Sequence, residues 1–364
     1  MRFKVAEDVL LDGVQRGAFP AVSAEVGTRD GVRWRTGLGR LAYHPGALET
    51  DPDTIFDLAS LTKVIATTTL VMRAIDDGLL RLEDRVADWI DEWRGRDREH
   101  VTLHDLLAHC SGLTAYLPFF RDHTGRAEFQ QAISALPLEY EPRSKSLYSD
   151  LGFILLAFIV EDARARKASG IGAFDPAAGF AAQFRKIASL VSNQPLAFHP
   201  PREWRARIAP TEHDAWRGRT LVGEVHDENA WALGGVAGHA GLFGTAGAVG
   251  AFARAVLHTL HGQPILAKTE TMQLFAKRTA IPGSSRALGW DTMLPTSSCG
   301  TLMSPTAIGH TGFTGTSLWI DWERDLYVVL LTNRVHATRE NQLITQIRPR
   351  FHDAVIADIA SSEL

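Results

Sequence analysis

Apolar positions along this chain follow two spacings, and the change from one to the other divides it. Val5, Val9, Leu10 and Val14 fall on one side of a short amphipathic helix near the start. "AVSAEVGTRDGVRWRTGLG" (21–39) then gives two short β runs around Asp30-Gly31, a pair that tolerates a tight hairpin turn. Residues 60–77 predict a helix stopped at Gly78, and "RLEDRVADWI" (81–90) a short amphipathic helix. "VTLHDLLAHCSGL" (101–113) predicts another, with Thr102 and Asp105 at capping-box spacing and Gly112 as the stop. Residues 149–169 form a strongly apolar helical run. The stretch 170–230, rich in Pro, Gly and Trp, shows no regular period and is read as irregular. A glycine-rich loop (234–250) leads into a helix at 248–260. Residues 315–334 are two β runs around a turn at Glu323–Asp325, and 337–362 is helical with a break near Pro349.

Strands therefore lie near both ends and helices fill the middle. That order predicts an α+β fold whose sheet is built from both termini, with a helical region inserted between them. Composition narrows the functional classes. With 364 residues, 45% of them hydrophobic, the chain can bury a sizeable core. The net charge is −4 and the Lys and Arg residues are scattered, so there is no basic face for a nucleic acid. No apolar run reaches the roughly 18 residues of a membrane span. Cys110 and Cys299 make neither a disulfide framework nor a zinc pattern, and two free thiols are expected. The first residues lack the apolar core of a signal peptide, so the chain as written reads as cytoplasmic, or periplasmic if a leader was removed.

Several chemistries have no motif here. "AHCSGL" (108–113) lacks the first glycine of a G-x-S-x-G elbow, and there is no phosphate loop, dinucleotide fingerprint or H-E-x-x-H. "GEVHDEN" (223–229) groups His226, Asp227 and Glu228, with His239 beyond. Adjacent loop residues rarely all face one metal, so a polar loop near a cleft is preferred to a zinc site. No cofactor or metal is expected. Trp216, Trp231, Trp290, Trp319 and Trp322 are read as packing residues rather than as a cleft lining, with Trp231 and Trp290 the least settled.

One stretch does point to chemistry. In "FDLASLTKVIATTTLVM" (56–72), Lys63 sits among apolar and small residues, three positions after Ser60. A buried ammonium is costly unless something uses it. Serine is a weak nucleophile until a neighbour takes its proton, and burial depresses a lysine pKa enough to let it serve. The bland alternative is that Ser60 caps a helix while Lys63 snorkels to solvent. Two further elements weigh against it. "LYSDLGF" (147–153) puts Tyr148 and Asp150 just before an apolar helix, and "GHTGFTGTSLWID" (309–321) puts His310-Thr311-Gly312 at the start of a strand.

The order S-x-x-K, Y-x-D, H-T-G resembles the serine β-lactamase and penicillin-binding protein superfamily, in its class C-like branch. "LHDLLAHCSGL" and "GGVAGHAGLFGTAGAVGAFARAVL" add to the likeness. Residues 208–243 are similar to D-Ala-D-Ala carboxypeptidases and to β-lactamase-like domains found beside glycosidases. The resemblance implies a single catalytic domain over 1–364. It would have an antiparallel sheet flanked by helices in an α/β subdomain (about 1–58 and 285–364) and a helical subdomain (about 59–284). It implies Ser60 as the acylated nucleophile, Lys63 in its proton network, and Tyr148 as base in acylation and acid toward the leaving group. His310, Thr311, Gly312 and Phe313 would line the substrate strand, and the backbone N–H groups of Ser60 and Phe313 would form the oxyanion hole.

Two positions depart from the β-lactamase pattern. Asp150 stands where asparagine is usual; facing inward it would favour the Lys63 ammonium, and facing outward it would cap the helix that follows. His310 replaces the lysine of K-T-G, so weaker dependence on a substrate carboxylate and poor β-lactamase activity are expected. The function implied is a serine hydrolase acting through an acyl-enzyme on a small-molecule acyl substrate, a small ester or a D-amino-acid amide or peptide. The alternatives are a penicillin-binding or sensing protein acylated without efficient turnover, and a pure scaffold.

Overall fold

The structure is a computed structural model that describes residues 3–168 and 179–362. Its main sheet has six strands in the order Gly31–Gly39, Ala21–Thr28, Leu326–Thr332, Ser317–Asp321, Ile308–Thr311 and Asp291–Thr292, every neighbouring pair antiparallel. The two ends of the chain meet inside it, with Val22 opposite Thr332 and Gly27 opposite Tyr327. The Asp30-Gly31 hairpin forms as predicted, Gly31 taking a φ of +147° that a side chain would resist. The fold is α+β, with the sheet built from both termini.

The strand "LYVVLLT" is buried at every position because both of its faces are covered. Val328 and Leu330 pack toward the terminal helices Lys4–Gln15 and Ile344–Ser362, while Tyr327, Val329 and Leu331 join the central core. The inner face is covered by the helix Ala246–Leu260, which packs directly on the strands Ala21–Thr28 and Leu326–Thr332. That helix falls within the stretch expected to be a helical insert, yet it belongs to the sheet's own layer. Trp290 and Trp319 are buried packing residues, whereas Trp216 and Trp231 meet edge to face at 5.2 Å on the surface. Cys110 and Cys299 are free and buried. Among the described residues no helix is long and apolar enough to cross a membrane.

Several elements differ from the predicted ones. The 60–77 helix is present, but its first part, Lys63–Thr68, is a wide π-type stretch before the α-helix Thr69–Asp76. The helix expected at 81–90 shrinks to one 3₁₀ turn, Val86–Asp88. There Asp84 and Asp88 accept the backbone N–H groups of Arg81 and Arg85, giving the backbone a local alternative to a helix. The Thr102–Asp105 capping box forms, but its helix runs only over Leu103–Leu107. His109, at φ +55°, stops it before Gly112. The helix predicted over 149–169 is observed as Asp150–Ala168, residue 169 lying outside the described residues. The stretch read as irregular contains the helix Phe180–Val191, which buries Phe180, Phe184 and Ile187 at helical spacing. The C-terminal helix starts at Ile344 rather than 337 and carries Pro349 inside its first turns. A second, small sheet joins Phe56–Asp57, Leu242–Gly244 and Leu196–Phe198, and it positions the chain just before Ser60.

The N-terminal helix has no capping side chain of its own, because Phe3 precedes it. Asp358 of the C-terminal helix substitutes: its carboxylate accepts the N–H groups of Ala6 (2.9 Å) and Val5 (3.3 Å). Asp358→Ala is expected to destabilise the protein by about 1–2 kcal/mol, read as a lower denaturant midpoint. An unchanged midpoint would show that the helix is held by packing alone.

Candidate active site

Ser60 follows the edge strand Phe56–Asp57 through a tight turn in which Ala59 takes φ +45°, a left-handed conformation rare for a residue with a Cβ. The next turn carries Lys63, whose side chain is 0% exposed. Its three N–H donors meet three acceptors: Ser60 Oγ at 3.0 Å, Asp150 Oδ1 at 2.6 Å and the His239 carbonyl at 3.3 Å. Asp150 faces inward and is also the first residue of the helix Asp150–Ala168, where a carboxylate complements the positive end of the helix dipole. Lys63 does not snorkel.

Tyr148 closes the group. Lys63 Nζ lies 4.8 Å from its ring centroid, and its hydroxyl interacts with the side chains of both Lys63 and Ser60. His109 holds the Tyr148 loop in place. The His109 carbonyl accepts Leu147 N–H at 2.8 Å, its Nδ1 accepts Ser149 N–H at 3.0 Å, and its ring packs 4.7 Å from that of Tyr148.

The charge state of this group differs from the simplest reading of the sequence. Burial pushes Lys63 toward the neutral amine, but the Asp150 carboxylate and Tyr148 outweigh it and lift the pKa above the ordinary lysine value. Burial also raises the Tyr148 phenol; the Lys63 charge opposes this and Asp150 adds to it. At rest the site therefore holds an ammonium beside a neutral phenol.

The His310 strand lies against the Ser60 turn. A Cβ on Gly312 would sit 2.6 Å from the Leu58 carbonyl oxygen and 3.2 Å from the Ala59 methyl group, so only glycine permits the approach. Thr314 and Thr316 fasten the same loop by donating to the carbonyls of Asp57 (2.8 Å) and Leu58 (3.0 Å). His310 Nδ1 donates to the Thr311 carbonyl at 2.8 Å, which leaves Nε2 as an unpartnered buried acceptor. Burial, with the charges of Lys63 and Arg286, holds the His310 pKa well below the usual histidine value, so the ring is neutral. Among the described residues, the backbone N–H groups of Ser60 and Phe313 donate to no protein acceptor.

Ser60, Tyr148, Asp150, His310, Thr311, Gly312 and Phe313 line one cavity of about 550 Å³, with Lys63 buried behind its wall. The spacing of motifs gave no sign of its other walls. His226, Asp227 and Glu228 do line it, as the polar-loop reading expects. Their partners are protein groups: His226 donates to Glu212 (3.0 Å), His239 to Asp227 (2.8 Å), and Arg339 bridges Glu212 and Glu228. A cluster of His104, Asp105 and Cys110 elsewhere has its carboxylate taken by Arg143, and burial pushes the Cys110 thiol up to about 12, away from the thiolate a metal needs.

Two arginines of the cavity stand apart. Arg334 donates to the carbonyls of Phe313 (2.7 Å), Arg339 and Asn341 (both 2.9 Å), and its guanidinium lies 4.4 Å from the Phe313 ring centroid. Arg348 donates to the Thr316 carbonyl at 3.2 Å, and its Nε is buried without a partner. Burial, with the Arg334 charge adding, pushes the Arg348 guanidinium down to about 10. Neither has a carboxylate ion-pair partner among the described residues.

Comparisons with known proteins give the family and the fold. A family model described as Beta-lactamase matches residues 6–348. A relative from Escherichia coli (strain K12) named "Putative D-alanyl-D-alanine carboxypeptidase" is 29% identical over 88% of this chain and 79% of its own length. A protein of the same name from Salmonella gallinarum is 30% identical over 83% of the chain and 74% of its own length. Among solved structures, EstCE1, a hydrolase with promiscuous acyltransferase activity, superposes with a TM-score of 0.74 at 19% identity, covering 97% of each chain. A class C beta lactamase gives 0.73 at 16% identity, covering 96% of this chain and 97% of its own. The fold is that of the β-lactamases and transpeptidases, and the chain belongs to the beta-lactamase family.

Proposed function

We propose that the protein is a serine hydrolase that acylates Ser60 and releases a carboxylate-bearing leaving group, as a carboxypeptidase acting on D-amino-acid peptides does. The observation that carries this reading is a nucleophile with its proton network in the same cavity as two arginines that lack counter-ions. Buried cations without carboxylates favour an anionic ligand. They supply the charge that His310, in place of lysine, does not, and so they reverse the expectation of weak dependence on a substrate carboxylate. The names of the relatives point the same way.

In this reading, Ser60 Oγ attacks the carbonyl carbon and its proton passes to Tyr148. The oxyanion that forms is met by the N–H groups of Ser60 and Phe313, a contribution of about 3 kcal/mol per donor. When the tetrahedral intermediate collapses, Tyr148 returns the proton to the leaving amine, and water then attacks the acyl-enzyme by the same route. Since Lys63 and Tyr148 both hold their protons at rest, the base form arises when the pair loses one proton, with a macroscopic pKa belonging to both groups. Asp150 keeps that pKa high.

Ser60→Ala is expected to abolish release of D-alanine from an acylated D-Ala-D-Ala peptide. Product at the wild-type rate would remove Ser60 from the chemistry, and a stable acyl adduct on the wild type without product would favour the sensor. Lys63→Ala and Tyr148→Phe should each slow acylation by at least about a hundredfold.

The pH profile gives a second test. Because the lysine and the phenol are both raised, kcat/KM should climb from neutral toward alkaline pH. Removing the negative charge with Asp150→Asn should shift that rise to lower pH by roughly one to three pH units. An unmoved profile would show that Asp150 does not set the charge of the pair.

The third test concerns the leaving group. Arg348→Met should lower kcat/KM for the free-acid peptide about ten- to a hundredfold and leave the corresponding methyl ester nearly unchanged. Equal losses on both substrates would contradict carboxylate recognition.

A further inference from the structure

The carboxylate of Asp57 lies outside the cavity, is buried, and makes no ion pair among the described residues. Its oxygens are spent on two backbone groups. Oδ1 accepts the N–H of Ala59 at 2.8 Å, and Oδ2 accepts the N–H of His226 at 2.7 Å. Ala59 is the residue in the left-handed conformation immediately before Ser60, and His226 opens the segment 226–228 that lines the cavity.

A carboxylate two residues before a left-handed alanine is a local device. An Asp side chain that bonds the backbone two residues on closes a turn and offsets the steric cost of positive φ, which for a residue with a Cβ is of order 1–2 kcal/mol. The turn has little freedom to relax elsewhere. The Asp57 and Leu58 carbonyls are taken by Thr314 and Thr316, and Gly312 presses on Leu58 and Ala59. The peptide between Ala59 and Ser60 has its carbonyl held by the Thr62 N–H at 3.0 Å, and its own N–H, the proposed oxyanion donor, is left to the cavity, so the φ of Ala59 sets the line of the Ser60 side chain.

Resting on the serine-hydrolase reading above, we propose that Asp57 is a positioning residue. It holds Ala59 left-handed so that Ser60 Oγ and Ser60 N–H aim at one point in the cavity, and it ties that turn to the wall formed by residues 226–228.

The test is a double-mutant cycle with Asp57→Asn and Ala59→Gly, read as kcat and KM on the D-Ala-D-Ala peptide, with thermal unfolding alongside. The asparagine amide turns a donor toward one of the two N–H groups. Because Asp57 does not face substrate, D57N should lower kcat about ten- to a hundredfold with KM nearly unchanged. Glycine accepts positive φ without a Cβ penalty, so A59G should restore most of the kcat lost by D57N, measured against A59G alone. A wild-type kcat in D57N overturns the proposal, and so does a loss that A59G fails to relieve. Should D57N not fold, a folded and active double variant supports the assignment. A double variant that also fails to fold overturns it, since Asp57 would then serve the core rather than the turn. Wild-type hydrolysis that survives Ser60→Ala would instead overturn the serine-hydrolase reading, and with it this role.

Discussion

The contact that organises this molecule is the 2.6 Å ion pair between Lys63 and Asp150, an ammonium with no exposure to solvent beside a carboxylate that retains a little. Removing one partner of such a pair costs roughly 3–5 kcal/mol, because the other charge is left in a medium that cannot solvate it. The surroundings are therefore arranged to complete the shell. The Asp150 carboxylate sits at a helix start, the His239 carbonyl supplies a third acceptor, and Ser60 Oγ is the remaining one. The Ser60 hydroxyl is thus part of what keeps the lysine in place, so in the proposed mechanism stability and reactivity would act through the same hydrogen bond.

Distant parts of the chain converge on this pair. The central sheet draws its strands from both termini, and the antiparallel register that sets Ser317 opposite Thr311 and Leu330 carries the His310 strand to the Ser60 turn. The small sheet pairs Phe56–Asp57 with Leu242–Gly244, which brings the glycine-rich segment with His239 over Lys63. Each junction is closed by short polar side chains on backbone carbonyls, Thr314 and Thr316 among them, rather than by bulk. Such bonds are directional, and they fix the turn more finely than apolar packing would.

The parts of this arrangement legible in the sequence are those with local signatures. The hairpin at Asp30-Gly31, the Thr102–Asp105 box and the apolar run of 150–168 follow from spacing alone, and Ser60, Lys63 and Tyr148 stand in recognisable motifs. What escaped is non-local or ambiguous. The helix Phe180–Val191 carried a clear period but lay in a stretch dominated by Pro, Gly and Trp. The run 81–90 carried an amphipathic pattern, yet its aspartates bonded the backbone in turns. Arg334 and Arg348 look like ordinary charged residues of the C-terminal region until folding removes their counter-ions. The direction of the Lys63 shift depended on whether Asp150 faced inward, which a sequence leaves open. Asp57 was hidden for the same reason, since its two partners, Ala59 and His226, lie 2 and 169 positions away.

The exchange of lysine for His310 can be understood from the same charge balance. The cavity already holds Arg286, whose guanidinium lies 5.1 Å from the Tyr148 ring centroid, and Lys63 lies beneath it. Those two charges help to hold His310 neutral. A lysine at 310 would bring a third cation to the same phenol, with Asp150 already committed to Lys63. A neutral imidazole avoids that repulsion, and its bare Nε2 presents an acceptor 5.7 Å, ring to ring, from Tyr148. Under the proposed function the positive charge for an anionic ligand would be carried instead by Arg334 and Arg348, which are anchored on the Phe313 and Thr316 carbonyls of the loop that follows the His310 strand. In that reading anion binding and proton transfer are separated in space. Tuning the Lys63–Tyr148 pair through Asp150 then need not alter how a substrate carboxylate is held, which a single lysine serving both tasks would not allow.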